Sequence, residues 1–321
     1  MSARPFIIDT DGGVDDALAI MIAVRSPEVD LQAITTVAGN VAVDQATQNV
    51  FTVLDVLGAS PCEVASGAHV PILRDLPAPG DIHCSDGLGE LARFVDDGKP
   101  RYPLPTPTPS DRNAVEVLLS GARKFGPDLT IVSIGPLTNI ALAVRADPVA
   151  MASVGRMVTM GGAATIPGNM SPVAEYNMWA DPEGASIAFE GMSSTTLVGL
   201  DVTNSTPLTR GHVNAMATEH PSKITRFARD ITDFYMNFYH THEGFDGCYL
   251  HDPLALSVAI DPSLVVTESL EVWVETRGEY TSGMVVADRR ARRNANPEKT
   301  IDVALEVDTE RMLRDYLSRL I

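Results

Sequence analysis

Pro5-Phe6-Ile7-Ile8-Asp9-Thr10-Asp11-Gly12-Gly13-Val14-Asp15-Asp16-Ala17-Leu18 is the stretch from which the rest of the chain can be read. The β-favouring run Pro5–Ile8 predicts a strand, and Asp15–Val24 predicts a helix with acids in its first turn. Two glycines between them allow a tight turn. Four carboxylates within eight residues therefore gather where a strand ends and a helix begins. Helix capping or dipole complementation accounts for one or two of them, but not for four. Packed this closely, they repel one another and push their pKa values up unless a cation sits among them. Hard oxygen donors suit Ca²⁺ or Mg²⁺, not zinc.

Working outward, strand and helix patterns keep alternating. Leu31–Val37 reads as a strand, Asp44–Leu57 as a helix ended by Gly58, and Glu63–Ala65 as a short strand. Asn113–Lys124 is helical, Leu129–Ile134 a strand, Leu137–Arg145 a helix and Arg156–Met160 a strand. Pro182–Phe189 and Thr195–Leu200 add another helix and strand. This order predicts an α/β fold: a mostly parallel, open, Rossmann-like central sheet with helices on both faces. Ligands bind such sheets beyond the carboxyl ends of the strands. The last third differs, with a long amphipathic helix at Ser222–Thr241 and a short one from Pro253. Strand-like runs follow at Leu270–Thr276, Met284–Ala287 and Ile301–Val307, before a terminal helix. The segment Leu76–Thr108, rich in Pro, Gly and Asp, is too long for a plain connector and reads as a functional lid or loop. There is no internal repeat, and no linker divides the chain, so one domain over 1–321 is expected.

Composition narrows the partners. The 321 residues carry 24 Lys and Arg against 42 Asp and Glu, a net charge of −18. That balance repels nucleic-acid backbones and anionic membranes. The 45% hydrophobic and 21% charged residues argue against disorder. Three cysteines, an odd number without CxxC spacing, point to a reducing compartment. No secretory leader is read at the N-terminus and no apolar run is long enough to span a membrane, so a cytoplasmic protein is expected.

Two further segments carry chemistry. Tyr249-Leu250-His251-Asp252-Pro253 reads first as a helix start, with Asp252 at the cap and Pro253 at the first helical position. Gly168–Asn177 follows the strand ending at Met160 and holds Asn169, Glu175 and Asn177, which are either solvated turn residues or a grip for vicinal hydroxyls. Spacing alone leaves both choices open.

Together these segments resemble the nucleoside hydrolases, the calcium-dependent N-ribohydrolases of the inosine–uridine type. DTDGGVDDALA at 9–19, TTVAGN at 35–40, IGPLTNIAL at 134–142, GNMSPVAEYN at 168–177 and HDPLAL at 251–256 stand in the family's order. The resemblance runs from the first strand to at least Asp261. Two departures are Gly12, where the family usually has proline, and Cys84 after His83, where glycine is common. The first is expected to loosen the turn.

The resemblance implies a Ca²⁺ site formed by Asp11, Asp16 and Asp252 with the backbone carbonyl of Ile134. It implies that Asp15, Asn40, Asn169, Glu175 and Asn177 surround the ribose, with His83 toward its 5′ side. Met160 and Tyr176 belong to the same substrate-binding set. Tyr235, Tyr239 and His251 would approach the base, although tyrosines four apart on a helix also suit core packing. Asp11 is the implied base for the attacking water, and His251 the implied acid for the leaving base. A homodimer or homotetramer acting on a small nucleoside is the implied assembly. The set resembles the broad inosine–uridine pattern more than the strictly pyrimidine one.

Two other classes compete. A haloacid-dehalogenase-like phosphohydrolase also starts with DxDG after a strand, but needs a lysine clamp, and 130–165 contains no lysine. A calcium-dependent nucleoside-binding protein would have no use for the base and acid that Asp11 and His251 offer.

Overall fold

The computed structural model describes residues 3–59, 62–75, 82–290 and 300–321. Its strands are β1 (Arg4–Thr10), β2 (Val29–Thr36), β3 (Glu63–Ser66), β4 (Val95–Asp96), β5 (Lys99–Pro100), β6 (Thr130–Ser133), β7 (Arg156–Met160), β8 (Thr195–Val198), β9 (Pro207–Thr209), β10 (Gly247–Tyr249), β11 (Val265–Val274), β12 (Val285–Ala287) and β13 (Thr300–Val307). Its helices are α1 (Val14–Val24), α2 (Val43–Leu57), α3 (Ala114–Phe125), α4 (Thr138–Ala146), α5 (Pro148–Ala152), α6 (Tyr176–Ala180), α7 (Pro182–Gly191), α8 (Leu200–Thr203), α9 (Arg210–Glu219), α10 (Lys223–Glu243), α11 (His251–Ile260) and α12 (Thr309–Leu320).

The main sheet has the order β12-β11-β13-β8-β7-β6-β1-β2-β3, and within it β11 alone runs against its neighbours. The apolar run at the start of β1 is continuous because both faces of the sheet are covered. Phe6 and Ile8 pack into a core with α1, α10 and α11, while Ile7 faces the opposite core with α3 and α4. Each of these buried side chains stabilises the fold by roughly 1.5–3 kcal/mol.

From β1 the chain builds outward to β2 and β3, then returns to β6, β7 and β8 on the other side. The strand order thus reverses beside β1, and a crevice opens at the carboxyl ends of β1 and β6. The register places Asp9 opposite Thr35 on β2 and Ser133 on β6. The DTDGG turn, the AGN segment and Ile134 therefore leave the sheet side by side.

Several boundaries differ from expectation. β1 runs on to Thr10, so Asp9 is a strand residue. β11 begins at Val265 instead of Leu270. α11 starts at His251 with Leu250 before it, so Asp252 lies within the first turn and is not the cap. The short helices α5, α6 and α8, helix α9 and the β9–β10 pair were not legible. The first three are too brief to show a period, and β9 pairs with β10 across two intervening helices. Of the expected loop, residues 76–81 lie outside the described residues. Its later part contains the β4–β5 ribbon, strapped to α10 where Asp230 accepts from Arg101 (2.6 Å) and Tyr102 (2.9 Å).

Candidate active site

The four acids that end β1 and begin α1 divide by role. Asp9 faces into the sheet, where it accepts from the Thr35 hydroxyl and from Asn139 Nδ2 at 2.8 Å. Asn139 also donates to Thr36 O (2.9 Å) and accepts from Ala68 N–H (2.9 Å). One part of the IGPLTNIAL segment thus cross-links three strand ends. Burial pushes the Asp9 carboxyl up to about 7.

Asp16 does cap α1. Its Oδ2 accepts from Gly13 N–H at 2.8 Å, and its Oδ1 accepts from Asp11 N–H at 3.2 Å and from the Thr10 hydroxyl. Asp11 turns toward Asn40, accepting its backbone N–H at 2.7 Å and its side-chain amide at 3.1 Å. Burial, then the charge of Asp16, raise the Asp11 carboxyl well above its ordinary value. Asp15 Oδ1 is buried with no hydrogen-bond partner, as is Asp9 Oδ2. Burial, then Asp16, push Asp15 up to about 8. Asp252, delivered by the first turn of α11, is raised by burial and then by the charges of Asp15 and Asp16.

Asp15, Asp16 and Asp252 bring one oxygen each to within 4.8 Å of one another, and Asp11 stands outside that trio. Among the described residues no Lys or Arg pairs with any of the four; the nearest base is His83, with Nδ1 3.9 Å from Asp15. An all-oxygen, buried and uncompensated donor set fits a hard divalent cation. The Ile134 carbonyl accepts from Asn177 Nδ2 at 3.2 Å, and the same amide reaches Met160 O at 3.1 Å, joining the ends of β6 and β7.

Above the acids lies a cavity of about 300 Å³. It is lined by Asp15, Asn40, His83, Ile134, Met160, Asn169, Glu175, Tyr176, Asn177, Tyr235, Tyr239, His251 and Asp252. Asp11 and Asp16 lie fully buried beneath it. Glu175 is no solvated turn residue: it caps α6 by accepting from Asn177 N–H (2.9 Å), and its other oxygen accepts from Gly162 N–H (2.7 Å). Burial raises its carboxyl. Asn169 is exposed at the rim and accepts from Tyr176 N–H at 3.0 Å. Tyr235 and Tyr239 serve both alternatives, being buried core residues that also wall the cavity.

His251 stands between Thr203 Oγ1 (2.7 Å to Nδ1) and Tyr239 OH (3.2 Å to Nε2). Burial lowers it to about 4 and His83 to about 3, so both rings are neutral near pH 7. Thr203 gave no sequence signal, since α8 is a four-residue helix. Ile82, Met170 and Phe238 also line the cavity and were not singled out.

The two departures from the family pattern have structural consequences. Gly12 takes φ +75°, and a Cβ there would lie 2.6 Å from Ala46 Cα. Proline, locked near −65°, cannot adopt that backbone, so the turn is differently shaped and tightly seated, not loosened. Cys84 takes φ 64°, a conformation that suits the glycine common at its position.

A strand-end cage of uncompensated carboxylates thus opens into an aromatic-walled cavity, an arrangement suited to stabilising positive charge on a bound small molecule. The chain belongs to the inosine-uridine preferring nucleoside hydrolase family, whose model matches residues 6–314. It is 36% identical over 310 residues to the pyrimidine-specific ribonucleoside hydrolase RihA of Escherichia coli, covering 95% of this chain and 94% of that one. The RihA of Salmonella newport is 38% identical over 307 residues, with the same coverage. Among solved structures, the purine-preferring ribonucleoside hydrolase from Gardnerella vaginalis superposes with TM-score 0.90 at 35% identity, covering 99% of this chain and 98% of that one. A plant nucleoside hydrolase also gives 0.90, at 32% identity and the same coverage. The chain is thus a nucleoside N-ribohydrolase, which releases ribose and free base from ribonucleosides.

Proposed function

We propose that the carboxylate cage holds Ca²⁺ through Asp11, Asp16, Asp252 and the Ile134 carbonyl, and that the cavity above it seats the nucleoside. The observation that carries this reading is the buried trio of Asp15, Asp16 and Asp252, with an unpartnered Asp15 oxygen and no described Lys or Arg paired with the trio. When bound, such an ion acidifies water at the site. Asp11, held by Asn40, accepts the proton of the attacking water. Asp15, Asn40, Asn169, Glu175 and Asn177 bind the sugar with Met160 and Tyr176, and His83 faces its 5′ side. As the C1′–N bond breaks, positive charge grows on the ribose, and the ring of buried acids stabilises it. As negative charge grows on the departing base, His251, neutral at rest and oriented by Thr203 and Tyr239, takes up a proton and delivers it to that base.

Strands from both ends of the chain share one sheet, which supports a single nucleoside hydrolase domain over 1–321. Three free cysteines support a cytoplasmic setting, and no described helix is long and apolar enough to cross a membrane. The net charge of −18 argues against nucleic acid as partner, and we place the enzyme as a homodimer or homotetramer.

The test is reducing-sugar release from purine and pyrimidine ribonucleosides and their 2′-deoxy counterparts, with and without chelator. Release should vanish in chelator and return with Ca²⁺, and the deoxy substrates should be poor because the sugar-binding groups are left unpaired. Full activity in exhaustive chelator would sink the metal assignment.

A further inference from the structure

We infer that Asn49 is a positioning residue of this site, tying the turn that carries Asp11, Asp15 and Asp16 to the loop that carries His83. The inference rests on reading the cavity as the nucleoside site. Asn49 lies on α2, buried, and does not line the cavity. Its Nδ2 donates to Gly12 O and to Asp86 O, each at 2.8 Å. Its Oδ1 accepts from Gln45 Nε2 at 2.8 Å. Both partners of the amide nitrogen are backbone carbonyls, which only accept, so the position requires two donors on one atom.

Each segment that Asn49 grips is itself stiff. The DTDGG turn rests directly on α2, where Gly12 meets Ala46, one helical turn before Asn49. The loop is knitted by Asp86, whose carboxylate accepts from Leu88 and Glu90 N–H (2.9 Å each) and from Leu91 N–H (2.8 Å). Gly87 closes the junction: at φ +74°, an added Cβ would stand 2.7 Å from Asn49 Nδ2 and 2.9 Å from Gly12 O. A second junction joins the same two segments, because His83 Nδ1 accepts from Val14 N–H at 3.2 Å. Asn49 therefore acts at a distance on where His83 stands relative to the acids. Among the described residues, the hydrogen bonds that join turn and loop run through Asn49 and through His83.

The deciding variant is Asn49→Asp, equal in shape but without N–H donors for the two carbonyls. Its kcat and KM are measured with Ca²⁺ well below the melting temperature, alone and in a His83→Ala background. Hydrogen exchange is followed at Leu88, Glu90 and Leu91. We expect kcat/KM to fall roughly 10–100-fold, as a displaced site costs, and those amides to lose protection. In the His83→Ala background the further loss should shrink to less than about threefold, because both changes act through one loop. Gly87→Ala, which wedges the junction from the other side, should shift activity and exchange in the same direction and serves if Asn49→Asp does not fold. A variant with a lowered Tm but wild-type kcat/KM and exchange would show a merely structural asparagine and overturn the inference. So would a full, multiplicative loss in the His83→Ala background. If the wild-type protein releases no ribose, the reading of the cavity fails, while the exchange comparison still decides whether Asn49 ties turn to loop.

Discussion

The two ends of the central sheet treat charge in opposite ways. At the amino end every prominent arginine is spent on structure. Arg4 donates to the last carbonyls of α11, Ala259 O (3.0 Å) and Ile260 O (2.9 Å), and Arg156 donates to Val258 O (3.1 Å). Arg319 makes a paired contact with Glu28 at 2.8 and 3.0 Å. At the carboxyl end Asp11, Asp15, Asp16, Glu175 and Asp252 are buried together, and no described Lys or Arg pairs with them. The amino-end clefts, about 540 and 760 Å³, are larger than the 300 Å³ cavity above the acids. Cleft size therefore does not mark the site. Uncompensated burial of like charge does, because it is destabilising unless a ligand completes it.

The strongest way to break this contrast is to remove an acid at the carboxyl end. Asp11→Ala should lower kcat by about 10²–10⁴ on every ribonucleoside, because its role concerns water and not the leaving base. Steady-state assays on a purine and a pyrimidine substrate check this, and near-normal turnover would dispose of the role. His251→Ala sharpens the division within the site. It should cost about 10²–10⁴ on a purine riboside but only a few-fold on a nitrophenyl riboside, whose leaving group needs no proton. Equal losses on both would assign His251 to holding the sugar.

A smaller effect separates the two ends by pH. In metal-free protein Asp9 and Asp15 are raised to about 7 and 8, above an unfolded value of about 3.9. The folded state then binds more protons than the unfolded one, so this end loses stability as pH rises from about 4 to 8. Glu28 is lowered, chiefly by its hydrogen bond with Arg319, so its contribution is present above the unfolded value and lost as pH falls through the folded one. Melting in chelator should therefore show Tm declining between pH 5 and 8, and saturating Ca²⁺ should flatten that slope. A Tm that rises across this window in chelator would contradict the assignment of strain to the acids. The mildest change is Arg4→Ala, which frees two carbonyls at the end of α11. It should cost about 1–2 kcal/mol of unfolding free energy in urea denaturation and leave kcat/KM unchanged.

What was legible in the sequence was local. A continuous apolar run, two glycines and a helix start place Asp11, Asp15 and Asp16 at the end of β1 without knowledge of any other segment. The parallel sheet followed from alternation, and the family motifs supplied order. Long-range choices were not legible. That Asp9 binds Asn139 and not the cavity depends on the β1–β6–β2 register. That Thr203 meets His251 depends on a four-residue helix with no periodic signal. The shape of the turn at Gly12 was misjudged because a glycine reads as freedom, whereas here its lack of a side chain permits close contact with Ala46. The expected ligand set also contains Asp11, while the tightest carboxylate trio contains Asp15.

The central claim is that the carboxyl-end acids form a cation site. Calorimetric titration of Ca²⁺ into chelator-stripped protein, run beside Asp252→Asn, tests it most directly. The account predicts one saturable site per chain in the wild type, weakened at least tenfold or lost in the variant. Absence of binding, or binding undiminished in Asp252→Asn, would contradict it.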